Sequence, residues 1–122
     1  MHKNATGIQG EIKIREYLVN KGHKILNQNY QCPPFGEIDL VTLKESTLYF
    51  VEVKTRASDA FMDLTQTMDN RKLNAMERAS EYYILKEGIP RNKYQFILAL
   101  VTLNLERNEI NFYKDLNITA TL

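Results

Sequence analysis

Glu52-Val53-Lys54 places a carboxylate and an amine two residues apart within the otherwise apolar run Phe50-Val51-Glu52-Val53. In an extended strand, residues two apart face the same side, so both charges share one surface. The same spacing pairs Glu37 with Asp39 in Gly36-Glu37-Ile38-Asp39. Unpaired charges on a buried strand are costly to desolvate, and a hard divalent cation offsets that cost. Mg²⁺ takes carboxylate oxygens while keeping several waters, so Asp39 and Glu52 are the candidate ligands. A lysine on the same side, Lys54, orients or helps deprotonate an attacking water and offsets charge growing on a phosphate. A phosphodiester is the natural substrate of such a set.

The elements that must hold these groups follow from pattern. Residues 37–43 and 48–55 are rich in Ile, Leu, Val, Tyr and Phe and are joined by the polar turn Lys44-Glu45-Ser46-Thr47, which reads as a hairpin bringing Asp39 toward Glu52. A first helix is expected from a cap at Thr6, with Gln9 completing a capping box, to a stop near Gly22. On its wheel Ile8, Glu11, Ile12, Ile14, Arg15, Leu18 and Val19 share one arc, which sets the Glu11 carboxylate within the apolar face. A carboxylate in that position calls for an explanation. Residues 24–30 read as a short strand followed by a loop over 31–35. A second helix is expected over 69–87, ended by Gly88 and Pro90. Residues 94–103 read as a central strand and 110–113 as its return. The order α-β-β-β-α-β-β implies an α/β fold with a mixed sheet flanked by helices.

Taken alone, an acid-x-lysine pair is more often a solvated ion pair on an exposed hairpin. Here it stands with Gly36-Glu37-Ile38-Asp39, a hairpin turn and a buried helical acid, and that conjunction favours a site. The arrangement resembles the PD-(D/E)XK nuclease superfamily, specifically the YraN-like proteins similar to archaeal Holliday junction resolvases. The motifs that carry the resemblance are Gly10-Glu11, Gly36-Glu37-Ile38-Asp39-Leu40-Val41 and Phe50-Val51-Glu52-Val53-Lys54-Thr55-Arg56, with Lys72-Leu73 as weaker support. It implies a restriction-endonuclease-like domain and Mg²⁺ (or Mn²⁺)-dependent endonuclease chemistry on DNA, with branched or structured DNA as substrate. By position, Asp39 and Glu52 would hold the metal, Lys54 would be the catalytic lysine, Glu11 would contribute from its helix in part through water, and Glu37 would be auxiliary. Arg56 and Lys72 would contact phosphates. Gln31 and Pro33-Pro34 stand where such proteins place basic residues, and Gln95 where they often have an aspartate. A catalytically inactive nucleic-acid-binding or scaffolding module on the same fold is the alternative.

Composition sets outer limits. The chain has 122 residues, 43% hydrophobic and 25% charged, so a single domain over 1–122 is expected. Its net charge of +1 does not by itself demand a nucleic-acid partner. Charge is uneven, however. Residues 1–36 carry five bases against two acids, whereas 37–60 carry three bases against five acids, which suits a cation site. Apolar runs such as 98–103 fall far short of the roughly 20 residues of a membrane span. A polar N-terminus and a lone cysteine, Cys32, agree with a cytoplasmic location. The apolar strand near 110–113 offers an edge for a homodimer. His2 and His23 form no metal or base motif and are expected to be bystanders to the chemistry.

Overall fold

The computed structural model of the chain describes residues 5–56 and 68–116. The elements run α1 (Ala5–Asn20), β1 (Lys24–Gln31), β2 (Glu37–Lys44), β3 (Thr47–Arg56), α2 (Asn70–Glu87), a 3₁₀ turn (Arg91–Lys93), β4 (Gln95–Asn104) and β5 (Glu109–Tyr113). This is the expected α-β-β-β-α-β-β order. The strands make one five-stranded sheet in the order β1-β2-β3-β4-β5. All neighbours are antiparallel except β3 and β4, which run parallel from Thr47↔Gln95 to Arg56↔Asn104. A parallel pair needs a crossover, and α2 lies within it.

Side-chain alternation along β2 and β3 divides the core in two. Leu40, Val51, Ala99, Val101 and Leu103 pack against Ile14 and Leu18 of α1. Their strand neighbours Val41 and Phe50, with Leu48, pack instead against Ala79, Tyr83 and Ile84 of α2. The helices therefore cover opposite faces of the sheet.

Helix α2 is bounded as its sequence demands. The Asp69 side chain accepts from the Lys72 backbone N–H at its start, and Gly88, at φ +65°, takes the left-handed conformation that ends it. Helix α1 departs from expectation in two ways. It begins by Ala5, so Thr6 lies inside it rather than ahead of it as a cap. In addition, Ile8, Ile12 and Val19 are 51%, 41% and 53% exposed. At roughly 100° per residue these three form one stripe, rotated away from Gly10, Ile14 and Leu18, which face the sheet. The roll is permitted by Gly10: a Cβ there would lie 1.8 Å from Thr55 Oγ1 and 2.7 Å from Thr55 Cβ. Backbone and strand side chain are in direct contact, and only glycine allows it.

His23 belongs to the core. It is buried, its Nδ1 lies 2.8 Å from Thr42 Oγ1, and its ring packs at 4.7 Å against Tyr49 and 5.8 Å against Phe112. Burial, with the charges of Lys44 and Lys114, pushes its pKa down to about 4. Cys32 is also buried, and desolvation raises its thiol pKa to about 11. Such a thiol serves as a small apolar core group.

Candidate metal centre

The β2–β3 ladder runs from Lys44↔Thr47 at the turn to Leu40↔Val51, where it ends. One further step of this register would set Asp39 opposite Glu52. Beyond that point the strands part: β2 stays paired with β1 as far as Gln31↔Glu37, and β3 stays paired with β4 as far as Arg56↔Asn104. The Asp39 carboxylate stands at the fork, where its Oδ2 accepts the Val53 backbone N–H at 2.8 Å. A side chain thus replaces the missing carbonyl of the ladder, which fixes its position relative to β3.

Among the described residues the buried Asp, Glu, Lys and Arg side chains are Glu11, Asp39 and Glu52, at 7%, 8% and 7% exposure. These are the three acids singled out by pattern. Even a partnered carboxylate carries a desolvation cost that an apolar side chain avoids, so three in one small domain point to use rather than packing.

Glu52 shares the α2 face with Phe50. Its Oε2 lies 3.2 Å from Lys72 Nζ and 3.9 Å from Lys54 Nζ. Burial raises the Glu52 pKa above the usual carboxylate range, and the charge of Asp39 raises it further, while Lys72 and Lys54 pull it back. Two acids near enough to repel, fronted by two half-exposed amines, make a site that gains from a further positive charge. Alongside Glu52 lies a cavity of about 60 Å³, bordered by Gly36, Glu37, Phe50, Lys72, Met76 and Ser80. That volume admits water beside Glu37 and Glu52. The donor set, two carboxylates at a strand fork, suits a hard divalent ion such as Mg²⁺ or Mn²⁺.

The structure brings together Asp39, Glu52, Lys54 and Lys72, with Glu37 on the cavity wall. Gln31, a departure from the family pattern, donates from Nε2 to Glu37 Oε1 at 2.8 Å and so orients that carboxylate. Glu11 is carried by α1, which covers the other face of the sheet, and borders a cleft with Ile8, Ile12, Arg15, Gln28 and Asn29. Among the described residues no three His, Cys, Asp or Glu side chains gather as a ready-made metal cage. Arg56 ends β3, two residues beyond Lys54. Gln95 pairs with Thr47 at the far end of the sheet, so its departure from the family pattern does not touch the site.

The sequence points to Lys72 as an outer phosphate contact, whereas in the fold it pairs with Glu52. The Asp69 cap was the available signal, since it places residue 72 in the first turn of α2. No helix among the described residues is long and apolar enough to cross a membrane.

Comparison with known proteins agrees with the motifs. The model of a family described as "Uncharacterised protein family UPF0102" matches residues 10–102, a span containing Glu11, Asp39, Glu52, Lys54 and Lys72. The UPF0102 protein of Caldicellulosiruptor saccharolyticus is 32% identical over 117 residues, 94% of this chain and 98% of that protein. That of Moorella thermoacetica is 33% identical over 104 residues, 85% and 86% of the two chains. That of Alkaliphilus oremlandii is 34% identical over 99 residues, 81% and 84% of the two chains.

Proposed function

Because the chain belongs to the UPF0102 family, the YraN-like group of PD-(D/E)XK-like proteins, we propose that it is a metal-dependent nuclease that hydrolyses phosphodiester bonds in DNA. Branched or structured DNA is the substrate form taken from the resemblance to junction resolvases. One observation carries the reading: the acids buried in the described fold are the three that the nuclease motif requires, and two of them meet at the β2–β3 fork beside two lysines.

Asp39 and Glu52 would hold Mg²⁺ or Mn²⁺. When bound, the ion would supply a polarised water and a counter-charge for the phosphate. The remaining chemistry falls to the chain's own groups. Lys54, on the same strand face as Glu52 and half exposed, holds its ammonium 3.9 Å from Glu52 Oε2. There it orients the attacking water and balances charge gathering on the phosphoryl oxygens. As the water oxygen bonds to phosphorus, the bond to the leaving oxygen breaks; the attacking water gives up a proton to solvent and the leaving oxygen takes one from it. Asp39, pinned by the Val53 N–H, keeps the fork open at one geometry. Glu37, held by Gln31, acts from the cavity wall, and Glu11 acts through water from the other side of the fork. Arg56 contacts the phosphate backbone without reading sequence.

The test incubates linear, single-stranded and four-way-junction DNA with the protein and Mg²⁺ or Mn²⁺, beside Glu52→Gln and Lys54→Ala. Cutting by the wild type and loss in both variants supports the reading; equal cutting by all three indicates a contaminant. A catalytically inactive DNA-binding or scaffolding module is the second reading. It is favoured by the net charge of +1 and by Gln31 and Pro33-Pro34 standing where the resemblance places basic residues. DNA binding without cleavage under every metal condition would select it.

A further inference from the structure

Glu52 Oε2 has two ammonium neighbours of different origin. Lys54 follows it on β3 at 3.9 Å, whereas Lys72 reaches it from the first turn of α2 at 3.2 Å. The closer amine comes from the other element. Its backbone is anchored on both sides: the Lys72 N–H donates to Asp69 Oδ1 at 2.9 Å, and the next residue, Leu73, is buried against Leu100 and Met68. The side chain beyond that anchor is 39% exposed and flexible, so Nζ can move while the helix stays in place.

Charge balance gives that freedom a purpose. Lys72 and Lys54 act on the charge of Glu52 that Asp39 opposes. A divalent ion approaching Glu52 Oε2 would meet both ammonium groups and be repelled by them until a phosphate arrived. The arrangement is relieved if one amine withdraws, and the amine sharing Glu52 Oε2 most closely is the one in direct competition.

We propose that Lys72 is a displaceable counter-ion: in the metal-free protein its ammonium holds the place at Glu52 that a divalent cation takes, and once displaced it meets a phosphate oxygen of the substrate. This rests on the nuclease reading of the same cleft. It gives Lys72 two opposed effects, hindering the cation and helping the DNA, which a merely structural ion pair would not have.

Titration calorimetry with Mn²⁺ alone reads the first effect. Lys72→Met and Lys72→Gln bind Mn²⁺ about fivefold more tightly than the wild type, the factor that a half-exposed ion pair is worth, while Lys72→Arg stays near the wild type. DNA binding in Ca²⁺ reads the second, and there Lys72→Met and Lys72→Gln are severalfold weaker. Unchanged Mn²⁺ affinity in both neutral variants overturns the proposal. So does an equal gain in Lys54→Met, which would mark a general charge effect rather than competition. If neither wild type nor variants bind Mn²⁺, the nuclease reading fails and takes this one with it.

Discussion

Gly10→Ala is expected to destabilise the protein, against the ordinary trend for a helix interior. Replacing glycine by alanine within a helix normally stabilises by about 1 kcal/mol. Here the new Cβ would stand 1.8 Å from Thr55 Oγ1 and 2.7 Å from both Thr55 Cβ and Thr55 Cγ2. Carbon atoms rest about 3.5 Å apart, so α1 would have to retreat by about 0.8 Å even with the Thr55 hydroxyl turned aside. Rotating Thr55 cannot remove its Cβ, so the strand offers no cheap escape. Overpacking of this kind costs about 1–3 kcal/mol and often more, which exceeds the propensity gain. A net loss of about 2 kcal/mol should lower Tm by roughly 6–10 °C for a chain of this size. Urea and thermal unfolding measure it. Thr55→Gly in the Gly10→Ala background removes all three clashing atoms, so the double-mutant cycle should show a favourable coupling. Cation affinity measured on the same proteins adds a functional readout, because a retreating α1 carries Glu11 with it while Asp39 and Glu52 stay on their strands. A Gly10→Ala protein as stable as the wild type would refute the close packing from which this reasoning starts.

Other outcomes follow from the same contacts. The His23 pKa is held down near 4 by burial and by Lys44 and Lys114, so the unfolded chain takes up the proton first. Its contribution is intact above about pH 6.5 and fades as pH falls toward 4, on the order of 2 kcal/mol after solvent screening, and His23→Gln should flatten that slope in urea titrations. The raised pKa of Glu52, caused first by burial and then by Asp39, means that charging this group opposes folding. The metal-free protein should lose stability as pH rises through that pKa, and Glu52→Gln in EDTA at pH 8 should melt above the wild type; a lower Tm would count against the strained pair. Asp69→Ala removes the α2 cap and should lower stability by about 1 kcal/mol in urea unfolding.

Much of the fold was legible because its signals are local. Gly88 and Pro90 end α2, the polar turn between two β-rich runs marks the hairpin, and the period of two puts Glu52 and Lys54 on one face. The register that carries Asp39 toward Glu52 follows from the same turn. What pattern could not supply was where one element ends against another. The wheel of α1 offered an apolar arc containing Ile8, Ile12 and Val19, but the helix lies chiefly over β3, rolled so that Gly10 meets Thr55, and that stripe is left uncovered. Glu11 is buried as its arc required, on the helix that covers the other face of the sheet. The Lys72–Glu52 pair and the His23–Thr42 contact join residues 20 and 19 positions apart, and no local period encodes them.

Whether the β2–β3 fork binds a divalent cation can be read from anomalous diffraction by crystals soaked in Mn²⁺. The expected result is a single strong peak within bonding distance of carboxylate oxygens of both Asp39 and Glu52, abolished in Glu52→Gln. A peak elsewhere on the surface, or none at this fork at millimolar Mn²⁺, would contradict it.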